Sequence, residues 1–387
     1  MKKICIVTAT RAEYGLLKPL MLELRSYSEF KLQILVTGAH LSPEFGLTYR
    51  FLEQDGFSID EKVEMLLSSD SAPGIVKSMG VGMIGYADAF ARLSPDAIVI
   101  LGDRYEMLSV ASSAAIFNIP IIHLHGGEIT EGAYDDAIRH AISKISALHF
   151  TSTEEYRQRV IQMGEHPDKV YNVGAIGLDN ICSLPLMEKE EIEESLGIKF
   201  KKYNYQVTFH PETLSHISSQ QQFNELLSAI EEQKDSYFIF TKANADTDGR
   251  IINQMIDEYV SKNPNKASAY NSLGSLRFLS VVKMCDAIIG NSSSGIIEAP
   301  SLHTPTINIG DRQRGRTQAG SILNCDVDKA EILRCFEKVN EPEFKTIVSR
   351  VLNPYGNGGT AQKIIEVISK VNFEELHTKA FYNIKLI

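Results

Sequence analysis

YQVTFHP, residues 205–211, decides how many sheets this chain builds. A β-rich run ends there in a histidine and a proline, as a buried strand does where it meets a loop. Runs of the same kind stand earlier at KICIVTAT (3–10), LQILVTGAH (32–40), AIVILGD (97–103), IPIIHLHG (119–126) and LHFTST (148–153). Helical periodicity fills the gaps at 14–27, 74–93, 105–116 and 136–146. From residue 205 the pattern restarts, with YFIFTKA (237–243), AIIGNSS (287–293) and TPTINIG (304–310). Apolar strands alternating with helical crossovers predict parallel sheets covered on both faces. The expected fold is therefore α/β, with two Rossmann-like domains and an interdomain cleft. A turn-rich, then acidic stretch at 174–200 marks the passage between them, so residues 1–173 form the first domain and 174–363 the second.

The composition narrows the function. The chain has 387 residues, 43% of them hydrophobic, and a formal net charge of -10. An acidic chain is a poor general binder of nucleic acid, while local arginines and helix N-termini still suit small anionic ligands. Cys5, Cys182, Cys285, Cys325 and Cys335 are odd in number, scattered and without a CxxC pair, a pattern of reduced thiols in a cytoplasmic protein. The first apolar run is only a strand long before Arg11 and Glu13, too short for a signal peptide or a membrane span.

The chemistry-bearing motifs fall at strand ends, where open α/β sheets bind ligands. GDRYE (102–106) places Asp103 between a strand and a helix, as a helix cap or as a carboxylate in the cleft. HLHGGE (123–128) puts His123 and His125 on one strand face, with Glu128 just beyond two glycines. YDDAIRH (134–140) starts a helix whose Asp135 and Asp136 suit its positive end, with an Asp136–His140 pair one turn apart. FHPET (209–213) presents His210 at a strand terminus. GNSSSGIIEAP (290–300) runs from a strand into a serine turn and a short helix. Its hydroxyls and amides suit a diphosphate, and Glu298, one turn into the helix, suits a ribose. No lysine follows as in a Walker motif, and the pattern is not that of a serine hydrolase. Arg11 after the first strand, and Arg312, Arg314 and Arg316 in GDRQRGR (310–316), fit diphosphate recognition. No cysteine or HExxH metal pattern is present, and no GxGxxG follows the first strand, so neither a metal nor a nicotinamide cofactor is expected.

RAEYG, ILGDRYE, HLHGGE, DDAIRHAISK, LHFTSTEEY, FHPETLS, ANAD, GNSSSGIIEAPSL and INIGDRQRGR together resemble the hydrolysing UDP-N-acetylglucosamine 2-epimerases of the sialic-acid pathway, the bacterial NeuC type. The resemblance covers almost the whole chain. It implies a glycosyltransferase-B fold in which a C-terminal helix, 364–387, packs back onto the first domain. It implies conversion of UDP-N-acetylglucosamine and water to N-acetylmannosamine and UDP, by anti elimination to 2-acetamidoglucal and then hydration. It also implies a homodimer. Carried over by motif, Asp103 and Asp135 are the catalytic carboxylates and His210 the catalytic histidine that meets the nucleotide phosphate. Ser292 and Ser293 match the diphosphate-binding serines, Glu298 the ribose-binding glutamate and Arg11 the phosphate-side arginine; Ser294 and Arg312 are expected at the same UDP site from their place in the serine turn and in GDRQRGR. Many members carry a catalytic glutamate where this chain has His125. Either His125 or Glu128 then does that acid/base work, with His125 slightly preferred. The alternatives are a hydrolysing 2-epimerase of a UDP- or GDP-linked 2,4-diacetamido-trideoxyglucose and a nucleotide-sugar glycosyltransferase.

Overall fold

The run KKICIVT is buried on both faces of its strand, and the two faces feed two different cores. Ile4 and Ile6 pack with Leu17, Leu20 and Leu24 and with Ile364, Ile365 and Ile368. Cys5 and Val7 pack with Tyr86, Phe90 and Val110. Helices must therefore lie on both sides of the sheet, as a doubly wound fold requires. The structure is a computed structural model describing residues 1–67, 69, 71–131, 134–212, 217–243 and 249–384.

The chain divides into two units, Met1–Glu128 with Asp135–Asp179 and Gly358–Ile387, and Ile129–Tyr134 with Asn180–Asn357. Unit 1 holds β1 (Lys2–Thr8), β2 (Phe30–Thr37), β3 (Glu61–Val63), β4 (Ala97–Leu101), β5 (Ile121–Leu124), β6 (Leu148–Thr151) and β7 (Val170–Asn172). They form a parallel sheet in the order β3-β2-β1-β4-β5-β6-β7. Unit 2 holds β8 (Tyr203–Thr208), β9 (Ser236–Thr241), β10 (Ala267–Tyr270), β11 (Ala287–Gly290), β12 (Thr306–Ile309) and β13 (Ile322–Cys325). Their order is β10-β9-β8-β11-β12-β13, again parallel. Strand order reverses between β1 and β4 in the first sheet and between β8 and β11 in the second. Loops leave the sheet in opposite directions at such a point and open a crevice at the carboxyl ends. Arg11 and Asp103 follow β1 and β4; His210 and the serine turn follow β8 and β11.

The helix Thr360–Lys370 belongs to unit 1 for a local reason. Asp179 accepts hydrogen bonds from Thr360 N at 2.8 Å and Ala361 N at 2.7 Å, so a carboxylate covers the helix's positive end. Among the described residues, no helix is long and apolar enough to cross a membrane.

Candidate functional site

In unit 1 the carboxyl ends of β4 and β5 are tied together by Arg139, a fully buried guanidinium on the helix Asp135–Ile145. Its Nη1 donates to the Glu128 carbonyl at 2.8 Å, its Nη2 makes a close ion pair with Asp103, and Asp136 lies at 3.7 Å. Asp103 is not a helix cap. Arg104 occupies the N-cap position of Tyr105–Ile116 without a side-chain cap bond, and the Asp103 carboxylate turns to Arg139 instead. A guanidinium held in place by burial fixes the direction in which that carboxylate points. Asp135 opens its helix and is partly exposed, and Asp136 lies 3.5 Å from His140 as the helical spacing predicts.

The two histidines of HLHGGE do not share a task. His123 sits in β5 with no exposure. Its Nε2 lies 2.8 Å from the Gly102 carbonyl, to which it donates, leaving Nδ1 to accept from Ser143 Oγ at 3.1 Å. Burial pushes its pKa down to about 3. The chain then turns through a left-handed conformation at His125, φ +64°, which ends the strand alternation. His125 Nε2 accepts from Ile176 N at 3.2 Å, so the proton is on Nδ1, 2.9 Å from Glu128 Oε1. Ser152 Oγ donates to the same Glu128 oxygen at 2.7 Å. The strand ends at Leu124 and His125 has a positive φ, so the alternation behind the shared-face expectation does not extend to it: His125 meets Glu128, while His123 buttresses the loop before Asp103.

At the end of β1, Arg11 begins the helix Arg11–Ser26 and stacks on Phe51, 3.8 Å from its centroid. Glu13, buried beside it in the sequence, accepts from Ala9 N at 2.6 Å, and burial raises its pKa to about 7. His40 lies 3.2 Å from Thr8 Oγ1, and burial lowers its pKa to about 4. His40 and His123 thus stay neutral in the folded chain, whereas the unfolded chain takes up protons on them below roughly pH 6.5. Their contribution to stability is intact above that pH and is lost as pH falls toward 4. Glu13, raised to about 7, acts in the opposite direction over the same range, so the test is the difference between variants: urea midpoints should fall less steeply between pH 7.5 and 5 in His123→Asn than in the unmodified chain. An equal pH dependence in the variant would contradict this account of His123.

In unit 2, β11 ends at Gly290, φ +125°, where any side chain would collide with the Thr208 carbonyl. Asn291 follows, with no exposure. Ser292 is the N-cap of the short helix Ser293–Ile297, its Oγ accepting from Ser294 N at 3.3 Å. Glu298 is buried and caps that helix at its C-terminal end. Of the three arginines in GDRQRGR, Arg312 reaches the serine turn, donating to the Asn291 carbonyl at 3.1 Å. Arg314 is largely exposed and pairs with Glu131, and Arg316 donates to the Ile129 carbonyl. Glu212 of FHPET accepts from Asp311 N at 2.8 Å and Arg312 N at 3.2 Å, and burial raises its pKa. Sequence reasoning assigned no site role to Arg139, Asn291, Glu212 or Ser152. Asn291 and Glu212 stand inside quoted motifs as polar residues at buried strand ends, which was their available signal. Threonine 213 in FHPET and the ANAD stretch fall wholly or partly outside the described residues.

A family profile described as UDP-N-acetylglucosamine 2-epimerase matches residues 22–369. The chain belongs to the UDP-N-acetylglucosamine 2-epimerase family. It is 45% identical over 384 residues, 99% of each chain, to the GDP/UDP-N,N'-diacetylbacillosamine 2-epimerase (hydrolyzing) of Campylobacter jejuni. It is 42% identical to polysialic acid biosynthesis protein P7 of Escherichia coli, over 99% of this chain and 98% of that one. Its fold resembles that of the Neisseria meningitidis UDP-GlcNAc 2-epimerase bound to UDP-GlcNAc, with a TM-score of 0.78 at 18% identity, covering 95% of this chain and 100% of that one. The two parallel-sheet units are thus of the glycosyltransferase-B-like kind seen in this epimerase family. These relatives do not single out the narrower sialic-acid placement: one is named for diacetylbacillosamine and the other for polysialic acid biosynthesis.

Proposed function

We propose that this family member is a hydrolysing 2-epimerase that releases a free 2-acetamido sugar from its nucleotide. The reading supported best has a nucleotide-linked 2,4-diacetamido-trideoxyhexose as substrate. The observation that carries it is the 45% identity across 99% of both chains with an enzyme named for that activity. UDP-N-acetylglucosamine is the second reading, favoured by the description of the family profile that matches residues 22–369.

The chemistry follows from what must move. The C2 hydrogen of such a sugar is too weakly acidic to leave alone. A base takes it while the C1–O bond breaks, and that electron pair leaves on the nucleotide diphosphate. Water then adds at C1 of the glycal and a proton at C2 on the opposite face, giving the free 2-epimer. Asp103, oriented by its ion pair with Arg139, and Asp135 are assigned to proton transfer, with Glu128. His125 is assigned to holding Glu128, because its Nε2 lone pair is taken by the Ile176 amide. His210, Arg11, Arg312, Ser292, Ser293 and Ser294 are assigned to the departing diphosphate and Glu298 to the ribose. Hydroxyls, amides and guanidinium groups stabilise a phosphate leaving group without changing protonation state.

Glu128→Gln should lower turnover more than His125→Gln, measured as steady-state nucleotide release. The opposite ranking would return the proton-transfer role to His125. The substrate is tested by offering UDP- and GDP-linked N,N'-diacetylbacillosamine and UDP-N-acetylglucosamine separately, reading free sugar by NMR. Greater kcat/KM for a diacetamido donor supports the first reading. Preference for UDP-N-acetylglucosamine would establish the second, and no free sugar from any donor would refute both.

A further inference from the structure

The side-chain amide of Asn291 grips the main chain of a residue 81 positions away. Its Oδ1 accepts from His210 N at 2.7 Å, and its Nδ2 donates to the His210 carbonyl at 2.8 Å. Both polar atoms of one side chain thus hold both polar groups of one backbone unit. A carboxylate in that place would repel the carbonyl, and an aliphatic side chain would leave both groups without this partner. The grip is itself anchored. Asn291 N donates to the Thr208 carbonyl at 3.2 Å, and the Asn291 carbonyl receives Gln313 Nε2 at 2.7 Å and Arg312 Nη1 at 3.1 Å.

Holding the sheet together does not require this arrangement. β8 and β11 are already paired from Tyr205–Ala287 to Thr208–Gly290. The amide acts from one residue past Gly290 to two residues past Thr208, beyond the last of those pairs. What it fixes is the position of the His210 α-carbon, and so the origin of its imidazole, relative to the Ser292 turn that follows directly. We propose that Asn291 is a positioning residue that holds His210 in register with the serine turn for the chemical step. This rests on the reading of His210 as a group that acts on the substrate.

The test is a double-mutant cycle on the full-length protein with its nucleotide sugar, comparing Asn291→Ala, His210→Ala and the pair. Asn291→Ala should lower kcat roughly 10- to 100-fold, as small misplacements of a catalytic group do, with KM changed much less. In the His210→Ala background it should cost less than about twofold more, because the two act as one unit. Asn291→Asp, nearly identical in shape, should lose kcat similarly, and it serves if the alanine variant folds poorly by circular dichroism. Wild-type kcat in Asn291→Asp, or losses that multiply with those of His210→Ala, would overturn the proposal. Wild-type kcat in His210→Ala would instead refute the reading of His210, and the proposal with it.

Discussion

Asp103→Asn should keep nucleotide binding and lose at least about 100-fold in turnover, the scale of a missing general acid or base. The substitution keeps the shape of the side chain and its ability to accept from Arg139, but removes its capacity to take a proton. A helix-capping role would predict almost no effect, since asparagine caps as well as aspartate. The structure already separates the two, because Arg104 holds the cap position and Asp103 pairs with Arg139. Calorimetry with UDP or GDP, beside steady-state turnover, reads both quantities. Near-wild-type turnover would remove Asp103 from the chemistry, and lost nucleotide affinity would move it to the binding half of the reaction.

Arg139→Met is expected to be the most destabilising of the substitutions considered. The side chain is 1% exposed and serves Asp103, Asp136 and the Glu128 carbonyl at once. Removing one partner of a buried ion pair costs about 3–5 kcal/mol, because the other charge is left without compensation. Asp103 and Asp136 keep side-chain exposures of 23% and 30%, so water screens part of the loss and about 3 kcal/mol is expected. Adding Asp103→Asn to Arg139→Met should recover some stability by deleting the stranded charge, a departure from additivity that urea unfolding measures. A loss below about 0.5 kcal/mol in the single variant, the range of an ordinary surface change, would contradict the role given to Arg139.

Nine strands had a signal in the sequence, and the four without one, β3, β7, β10 and β13, are the edges of the two sheets. The reason is physical. An edge strand has a neighbour on one side only, and three residues such as Glu61-Lys62-Val63 need no continuous apolar run. Central strands such as Ala97–Leu101 are buried throughout and announce themselves. The same distinction governs the site. Motifs at the ends of central strands were legible because chemistry-bearing residues interrupt apolar runs there. Which side chains meet was not, because Asp103–Arg139 and Asn291–His210 are joined by folding across 36 and 81 positions, and spacing alone carries no such information. His125 shows a further limit: strand alternation gave it a place beside His123, and a left-handed residue at the strand end leaves the two histidines with different partners.

The central claim, elimination followed by hydration, is tested most directly in heavy water. The protein is incubated there with the nucleotide sugar that it turns over, and the products are followed by proton NMR. The account predicts a free 2-epimer carrying deuterium at carbon 2, with one nucleotide released per sugar. A sugar that stays nucleotide-linked, or a released sugar that keeps its original hydrogen at carbon 2, would contradict it.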